Sequence, residues 1–272
     1  MTSSNQEQID YWNGNAGTQW TTAQEQLDAM LSPMSEQALA IANVQADERV
    51  LDIGCGCGAT SLALAETAIA VTGVDISAPM VARAQQRAAS MEHVAFIEAD
   101  ASTWRAEQPV DLAFSRFGVM FFADPVAAFT NIHANIAANG RLCFICWRLP
   151  KDNPWLAVPA AAAAPFLPDA PAPDGPGPFA FADQDFVRDL LHSAGFRDVA
   201  FNLCEADLRL GSDVDAALQF QSRIGPLSRV MAELEGDAQQ QALDAVAAAL
   251  QPYQQADGLK LGASCWTVTA NA

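Results

Sequence analysis

The stretch from Arg49 to Ser77 holds the residues whose types and spacing most clearly suggest chemistry. A short apolar run containing Asp52 opens into three alternating glycines, and a second apolar run ends at Asp75. This order is typical of a unit that binds nucleotide-like ligands at the carboxyl ends of parallel strands. The unit consists of an apolar run, a glycine turn, a helical stretch, a second apolar run and a carboxylate. The glycines are Gly54, Gly56 and Gly58.

The glycine loop alone does not select one ligand. Gly54, Gly56 and Ala59 fit the dinucleotide pattern G-x-G-x-x-A, whereas the three glycines fit G-x-G-x-G equally well. Asp75 lies about 20 residues further on, where an acidic residue holds ribose hydroxyls in either case. The local pattern therefore indicates an adenosine-containing ligand and leaves its remainder open.

Three features favour a ligand other than a dinucleotide. Asp52 would repel a pyrophosphate but could serve an ammonium group, through water or a backbone turn. Asp100 follows the third apolar run, where it could read the edge of an adenine ring. The last two predicted strands would form an antiparallel hairpin, which is not part of a six-stranded dinucleotide fold.

Strands alternate with helices through the first half of the chain, which predicts a parallel sheet covered on both faces. With the terminal hairpin, the pattern predicts an α/β, Rossmann-like, seven-stranded, mostly parallel sheet with helices on both faces and a helical lid or insertion. The predicted strands are Arg49–Ile53, Val71–Val74, Val94–Glu98, Val110–Ser115, Arg141–Trp147, Val199–Leu210 and Gly262–Ala270.

Four regions follow from this pattern. Residues 1–46 are predicted to be a helical lid, with one helix before and one after Pro33, and residues 47–148 to be the ligand-binding core. Residues 149–182 are rich in proline and alanine, which predicts an ordered flap without a long regular element. Residues 183–272 would complete the core, with a helical insertion at about 211–258 interrupted near Gly225-Pro226 and Gly236.

Composition excludes several classes of partner. The chain of 272 residues is 51% hydrophobic and carries a formal net charge of −18. So acidic a surface repels nucleic acid and anionic membranes. The N-terminus lacks the basic and apolar regions of a signal peptide, and the longest apolar stretch, Leu156 to Leu167, is too short to span a bilayer. These features predict no membrane insertion.

The six cysteines are scattered and show no zinc-site spacing with histidine partners, which predicts no metal site. Cys143 and Cys146 resemble a CxxC pair, but in a strand residues three apart point to opposite faces. We therefore expect six reduced and mostly buried thiols in a cytoplasmic protein.

The segments VLDIGCGCGATSLALA, GVDIS and EADA, together with the terminal hairpin, resemble class I S-adenosylmethionine-dependent methyltransferases. Within that superfamily, YWNG, SRFGVMFFADPVAAF and GRLCFICWR resemble the small-molecule branch that includes ubiquinone/menaquinone-biosynthesis methyltransferases. The resemblance covers nearly the whole chain and is strongest from Arg49 to Trp147. It implies S-adenosyl-L-methionine as the cofactor and a small molecule as the methyl acceptor.

The resemblance also implies roles for single residues. The glycine loop and Asp52 would surround the methionine part of the cofactor, with the end of the fourth strand beside it. Asp75 would hold the ribose hydroxyls, the next residue would pack on the adenine, and Asp100 would meet the adenine amino group. The cofactor set implied in this way is Trp20, Asp52, Gly54, Gly56, Gly58, Asp75, Ile76, Asp100, Ala101, Ser115 and Arg116.

Residues that meet the acceptor should follow the fourth and fifth strands, where they join two aromatic residues of the lead-in. Most are apolar or aromatic, which favours a hydrophobic or aromatic acceptor. Plain core packing would explain the phenylalanine cluster equally well, and a lone arginine is more often a solvated rim residue. The predicted set is Tyr11, Trp12, Phe117, Met120, Phe121, Phe122, Trp147, Arg148, Asn153 and Trp155.

No catalytic base emerges from the sequence, because His93, His133 and His192 all lie away from predicted carboxyl strand ends. Two other functions use the same glycine loop: an NAD-dependent oxidoreductase and a non-catalytic methyltransferase-like binding module. The atom that receives the methyl group stays open among oxygen, nitrogen and carbon. The insertion at about 211–258 is long enough for either a substrate lid or the contact of a homodimer.

Overall fold

The structure is a computed structural model that describes residues 5–168, 175–225 and 227–272. Three helices precede the first strand: α1 (Gln6–Asn13), α2 (Asn15–Thr22) and α3 (Gln24–Ala42). The prediction of two helices separated by Pro33 is wrong, because α3 continues through that proline. Apolar side chains on both sides of Pro33, including Met30 and Met34, are buried against the same core, and this packing outweighs the helix-breaking tendency of proline.

The first half of the chain alternates as predicted, and the predicted bounds of two strands agree with the structure to the residue. The fifth strand begins at Ile136, five residues before the predicted Arg141, shortly after a helix that ends at His133. The elements are β1 (Arg49–Ile53), α4 (Ala59–Ala65), β2 (Ala70–Asp75), α5 (Ala78–Arg87), β3 (Val94–Glu98), β4 (Val110–Arg116), α6 (Pro125–His133) and β5 (Ile136–Trp147).

The second half contains the helical insertion, interrupted where its glycines predict. The proline-rich flap holds a ten-residue helix that the sequence did not predict; one proline lies in its first turn, where proline is tolerated. The elements are α7 (Pro154–Ala163), α8 (Gln184–Ser193), β6 (Arg197–Gly211), α9 (Val214–Gln221), α10 (Leu227–Glu233), α11 (Gly236–Leu250), β7 (Gln254–Gln255) and β8 (Gly258–Asn271).

One sheet organises these elements, in the order β3-β2-β1-β4-β5-β8-β6. Strands β1 to β5 are parallel, and β8 runs antiparallel to both β5 and β6. The two-residue β7 adds an eighth, minor strand beside β8. The predicted Rossmann-like α/β fold with a terminal antiparallel hairpin is therefore confirmed.

The buried core runs along the whole sheet. Cys143 and Cys146 are both free and buried; the first thiol contacts the carbonyl of Ala38 and the second that of Phe181, on the opposite face as predicted. None of the described helices is long and apolar enough to cross a membrane.

Candidate active site

A cavity of about 610 Å³ lies along the carboxyl ends of β1, β2, β4 and β5. Parallel strands place their carboxyl ends at one edge of the sheet, which is where α/β folds bind ligands. The cavity brings together residues of both predicted sets. Those that line it are Tyr11, Trp12, Trp20, Gly54, Gly56, Asp75, Ile76, Asp100, Ala101, Arg116, Phe117, Met120, Phe121, Phe122, Trp147 and Trp155.

The glycine loop forms the floor of one end of the cavity. Gly54 has φ +65°, and a Cβ atom there would lie 2.7 Å from the Cα atom of Gly118. Only glycine combines that conformation with so close a backbone approach. Gly56 also has a positive φ, +53°, and lines the cavity. The conformation of the loop therefore requires glycine at these positions, and the glycines can be recognised in the sequence.

Asp75 holds the rim of this loop. Its carboxylate accepts hydrogen bonds from the main-chain amides of Gly56 and Ser77, both at 2.8 Å. Burial raises the pKa of Asp75, and the bonds from the main-chain amides oppose that shift. Each carboxylate oxygen keeps a further lone pair, which suits the acceptance of hydrogen bonds from two ribose hydroxyls.

Asp100 lies further along the same wall. One of its oxygens accepts from the amide of Ser102 at 2.8 Å, and the other accepts from the side chain of Asn5 at 2.7 Å. Asn5 also lines the cavity, and its buried Oδ1 has no hydrogen-bond partner among the described residues. An unpartnered buried acceptor beside Asp100 fits the amino group of an adenine ring.

Asp52 lies below the loop and does not line the cavity. Its Oδ2 accepts from the hydroxyls of Thr60 and Ser61 at 2.8 and 2.5 Å, whereas its buried Oδ1 has no partner within the described chain. Burial raises the pKa of Asp52 to about 6, although the two hydroxyls lower it. Its unpartnered oxygen is a second buried acceptor, and it fits the water-mediated contact with an ammonium group that the sequence suggests.

Arg116 is the charged residue at the end of β4 that faces the cavity. Its side chain is 14% exposed and donates to the hydroxyl of Ser35 at 3.1 Å. Asp28 of α3 is 3.9 Å from it and also lines the cavity. Burial lowers the pKa of Arg116. Sequence reasoning missed Asp28 and Ser35, because helical spacing does not show which strand end a helix will cover.

Aromatic rings line much of the rest of the cavity, which we call the aromatic end. Phe117 stacks on Trp147 with ring centroids 4.1 Å apart, and Trp155 lies 5.0 Å from Trp147. Trp12 makes edge contacts at 5.7 Å with Trp20 and at 5.4 Å with Phe121. A wall of this kind suits a flat or apolar ligand.

Two later segments also border the cavity, and sequence reasoning named no residue in either. The first follows the flap helix, and its Gly177 amide donates to the carbonyl of Met120 at 3.0 Å. The second lies where the insertion is interrupted, near Gly225. The additional lining residues are Pro176, Gly177, Pro178, Phe179, Ile224, Gly225 and Ser228.

Four further predicted residues do not line the cavity. Gly58 begins α4 against the ring of Phe96, and the hydroxyl of Ser115 donates to the Ile53 carbonyl at 2.7 Å behind the wall. Arg148 lies over the ring of Trp266 at 4.7 Å and pairs with Asp152. Asn153 is fully buried beneath the wall. These residues can affect a ligand only through their neighbours.

None of His93, His133 and His192 lines the cavity. Within the residues that the structure describes, no group of histidine, cysteine or acidic side chains could hold a metal ion.

The comparisons agree with the geometry. Residues 50–140 match the family model described as a methyltransferase domain. The chain is 37% identical over 112 residues to a trans-aconitate 2-methyltransferase of Klebsiella pneumoniae, a stretch covering 40% of this chain and 43% of that relative. The match therefore spans less than half of the length of this curated relative. The predicted likeness to the ubiquinone/menaquinone branch stays a prediction.

Solved structures extend the likeness of fold over most of the chain. The YcgJ protein of Bacillus subtilis superposes with a TM-score of 0.59 at 15% identity, over 87% of this chain and 97% of that one. A phosphoethanolamine N-methyltransferase 2 of Haemonchus contortus, in complex with S-adenosylhomocysteine, gives 0.51 at 19% identity, over 87% and 52%. Residues 50–140 thus resemble a methyltransferase domain in sequence, and the likeness of fold to solved structures takes in most of the chain.

Proposed function

We propose that the protein transfers the methyl group of S-adenosylmethionine to a small apolar or aromatic acceptor by in-line displacement. The observation that carries this proposal is a single cavity whose one end holds the glycine loop with Asp75 and Asp100, and whose other end is aromatic. A cofactor at the first end would direct its methyl group towards an acceptor at the second. The reaction needs alignment of the two molecules and exclusion of water.

The cofactor would be held by the groups with spare hydrogen-bonding capacity. Asp75 would accept from the ribose hydroxyls, while Asp100 and Asn5 would meet the adenine edge. Asp52 would act from below the loop, and Arg116 would face the carboxylate of the methionine part. When bound, the cofactor supplies an electrophilic methyl group on a cationic sulfur.

An apolar acceptor fits the cavity better than a polyanion does. Arg116 is the only cationic residue among the described residues that line the cavity, whereas Asp28, Asp75 and Asp100 are acidic. A tricarboxylate would need several cationic partners at this site. Similarity to an enzyme named for trans-aconitate, over 40% of this chain, therefore does not transfer that acceptor.

Among the described residues, we assign no side chain at the aromatic end as a general base. The titratable groups among the described lining residues are Asp28, Cys55, Cys57, Asp75, Asp100, Arg116 and Tyr11. Burial raises the pKa of Cys57 to about 11 and that of Cys55 well above its ordinary value, so neither thiol is a ready thiolate. We infer that the acceptor attacks in its own resting ionisation state.

The N-terminal helices would serve as the lid that excludes water. The side chain of Asn13 donates to the carbonyl of Ile76 at 2.8 Å and accepts from the amide of Ala78 at 2.9 Å. Ser77 donates to the carbonyl of Trp12 at 2.7 Å. These bonds fasten α1 over the Asp75 rim, which places Trp12 and Trp20 on the cavity.

Methyl transfer can be tested with radiolabelled S-adenosylmethionine and a panel of acceptors. We expect label in apolar aromatic acids, which are already carboxylates at neutral pH, and none in trans-aconitate. Asp183→Ala is a matched control for Asp75→Ala, because Asp183 also accepts from two main-chain amides but lies outside the cavity. An unchanged KM for S-adenosylmethionine in Asp75→Ala would contradict the assignment of the cofactor end.

Two other outcomes of the same screen would overturn the proposal in different ways. Calorimetric binding of NAD without binding of S-adenosylmethionine would indicate an oxidoreductase. Tight binding of S-adenosylmethionine with no transfer to any acceptor would indicate a binding module. A cytoplasmic location and a homodimer stay predictions from the sequence.

A further inference from the structure

The turn between β5 and α7 is held by one buried side-chain amide. The Nδ2 atom of Asn153 donates to the carbonyls of Arg148, Leu149 and Ser264 at 3.2, 3.2 and 3.0 Å. Its Oδ1 accepts from the amide of Ser264 at 2.9 Å. Asn153 is 0% exposed, and these main-chain groups use both of its N–H donors and one lone pair of its Oδ1. The bonds fix the start of α7 on the adjacent strand β8.

Trp155 lies two residues further along, at the first turn of α7. Its ring lies 5.0 Å from Trp147, which in turn stacks at 4.1 Å on Phe117. A second buried amide, the side chain of Gln221, donates to the carbonyl of Trp155 at 3.1 Å. Two amides that do not line the cavity thus set the place of a ring that does.

The side chains of α7 itself are all apolar. Residues 157–163 are all alanine except Val158 and Pro159, so large side chains that could interlock with neighbouring elements are scarce. Pro154 lacks an N–H group and adds no hydrogen bond of its own. Asn153 and Gln221 therefore add directional hydrogen bonds to the apolar packing that holds α7 against α11 and β8.

We propose that Asn153 is a positioning residue that sets the width of the aromatic end through Trp155, and thereby selects flat acceptors. The inference rests on the proposed function, because it concerns the acceptor end of that same cavity. Without the amide, the start of α7 is free to shift and the ring loses its defined distance from Trp147. Cofactor binding should be untouched, because the glycine loop shares no hydrogen bond with this turn.

A neutral aromatic fluorophore, N-phenyl-1-naphthylamine, can probe the aromatic end before the acceptor is known. We expect Asn153→Ala to weaken binding of this probe at least ~tenfold, equal to about 1.4 kcal/mol, and to leave the affinity for S-adenosylhomocysteine within about twofold. Near-ultraviolet circular dichroism should lose the signal of the Trp147–Trp155 pair. Asn202→Ala is the control, because Asn202 donates to the Thr267 carbonyl of the same strand and does not line the cavity.

Gln221→Ala provides a second test if Asn153→Ala fails to fold. We expect it also to lower the affinity for the probe, by a smaller factor. Once an acceptor is identified, both variants should raise its KM more than they lower kcat. Unchanged probe binding, or an equal loss of S-adenosylhomocysteine affinity, would overturn the inference. Probe binding by a wild type that shows no S-adenosylhomocysteine binding would instead contradict the proposed function and leave the positioning role standing.

Discussion

The two ends of the cavity are built in different ways. The cofactor end comes from short stretches that directly follow β1, β2 and β3, and its contacts are mostly with main-chain groups, as at Asp75. The aromatic end draws on α1, the turn after β4, the end of β5, α7 and two later segments. One end is local in sequence, and the other is assembled from the whole chain.

This difference decides what each end can tolerate. Gly54 has a positive φ and lies against Gly118, so no other residue fits without strain. An aromatic ring at the opposite end can be exchanged for another of similar volume at modest cost. We therefore expect the cofactor end to tolerate few substitutions. At the aromatic end, substitutions should be tolerated and should change which acceptors fit.

Truncation of Trp155 should give the largest effect and separate the two ends. Trp155→Ala removes a nearly buried ring, and we expect a loss of about 3–5 kcal/mol in the free energy of unfolding. Binding of the naphthylamine probe should fall with it, while calorimetry should show unchanged affinity for S-adenosylhomocysteine in the folded variant. Trp266→Ala is the control, because the Trp266 ring lies outside the cavity. A comparable loss of probe binding in this variant would contradict the assignment of the probe to the aromatic end.

The pH dependence of the free energy of unfolding tests the buried state of Asp52, which lies beneath the cofactor end. Its pKa rises from 3.8 to about 6 on burial, so between these values the folded protein holds a proton that the unfolded chain has released. Raising the pH through this window should destabilise the wild type by about 3 kcal/mol relative to Asp52→Asn. Urea unfolding from pH 4 to pH 7 measures this difference, and a constant offset between the two proteins would contradict the assignment.

Asp75→Ala should have the smallest effect, confined to the cofactor end. Loss of a charge-assisted hydrogen-bond acceptor should weaken S-adenosylmethionine binding by about 1–3 kcal/mol in calorimetry. The naphthylamine probe should bind as before. Asp183→Ala should reproduce any loss of stability without the loss of affinity, and equal cofactor affinity in the two variants would overturn the ribose assignment.

The sequence predicted the strands of the core and their mostly parallel arrangement well, because hydrophobic runs bounded by glycine and acidic residues leave few alternatives in an alternating α/β pattern. It failed at Pro33 and in the proline-rich flap. In both places proline argues against a helix locally, whereas α3 and α7 are stabilised by packing against distant elements. Tertiary packing outweighed the local tendency.

The candidate site divides in the same way. The sequence indicated Gly54, Gly56, Asp75 and Asp100, because each follows a strand and has a residue type that its backbone or ligand contacts require. It could not distinguish Trp155, which lines the cavity, from Asn153, which is buried behind it, although both follow the same strand. Side-chain direction after a strand depends on the turn that the rest of the protein imposes.

By itself, therefore, the sequence determined the sheet, the glycine loop and the edge of the sheet at which the cavity lies, since these depend on local backbone geometry and on hydrophobic periodicity. Only the tertiary structure decided that α3 brings Asp28 and Ser35 to Arg116, and that segments near Gly177 and Gly225 border the aromatic end. Such contacts join residues far apart in the chain. Their selection is a matter of packing, which no short stretch of sequence encodes.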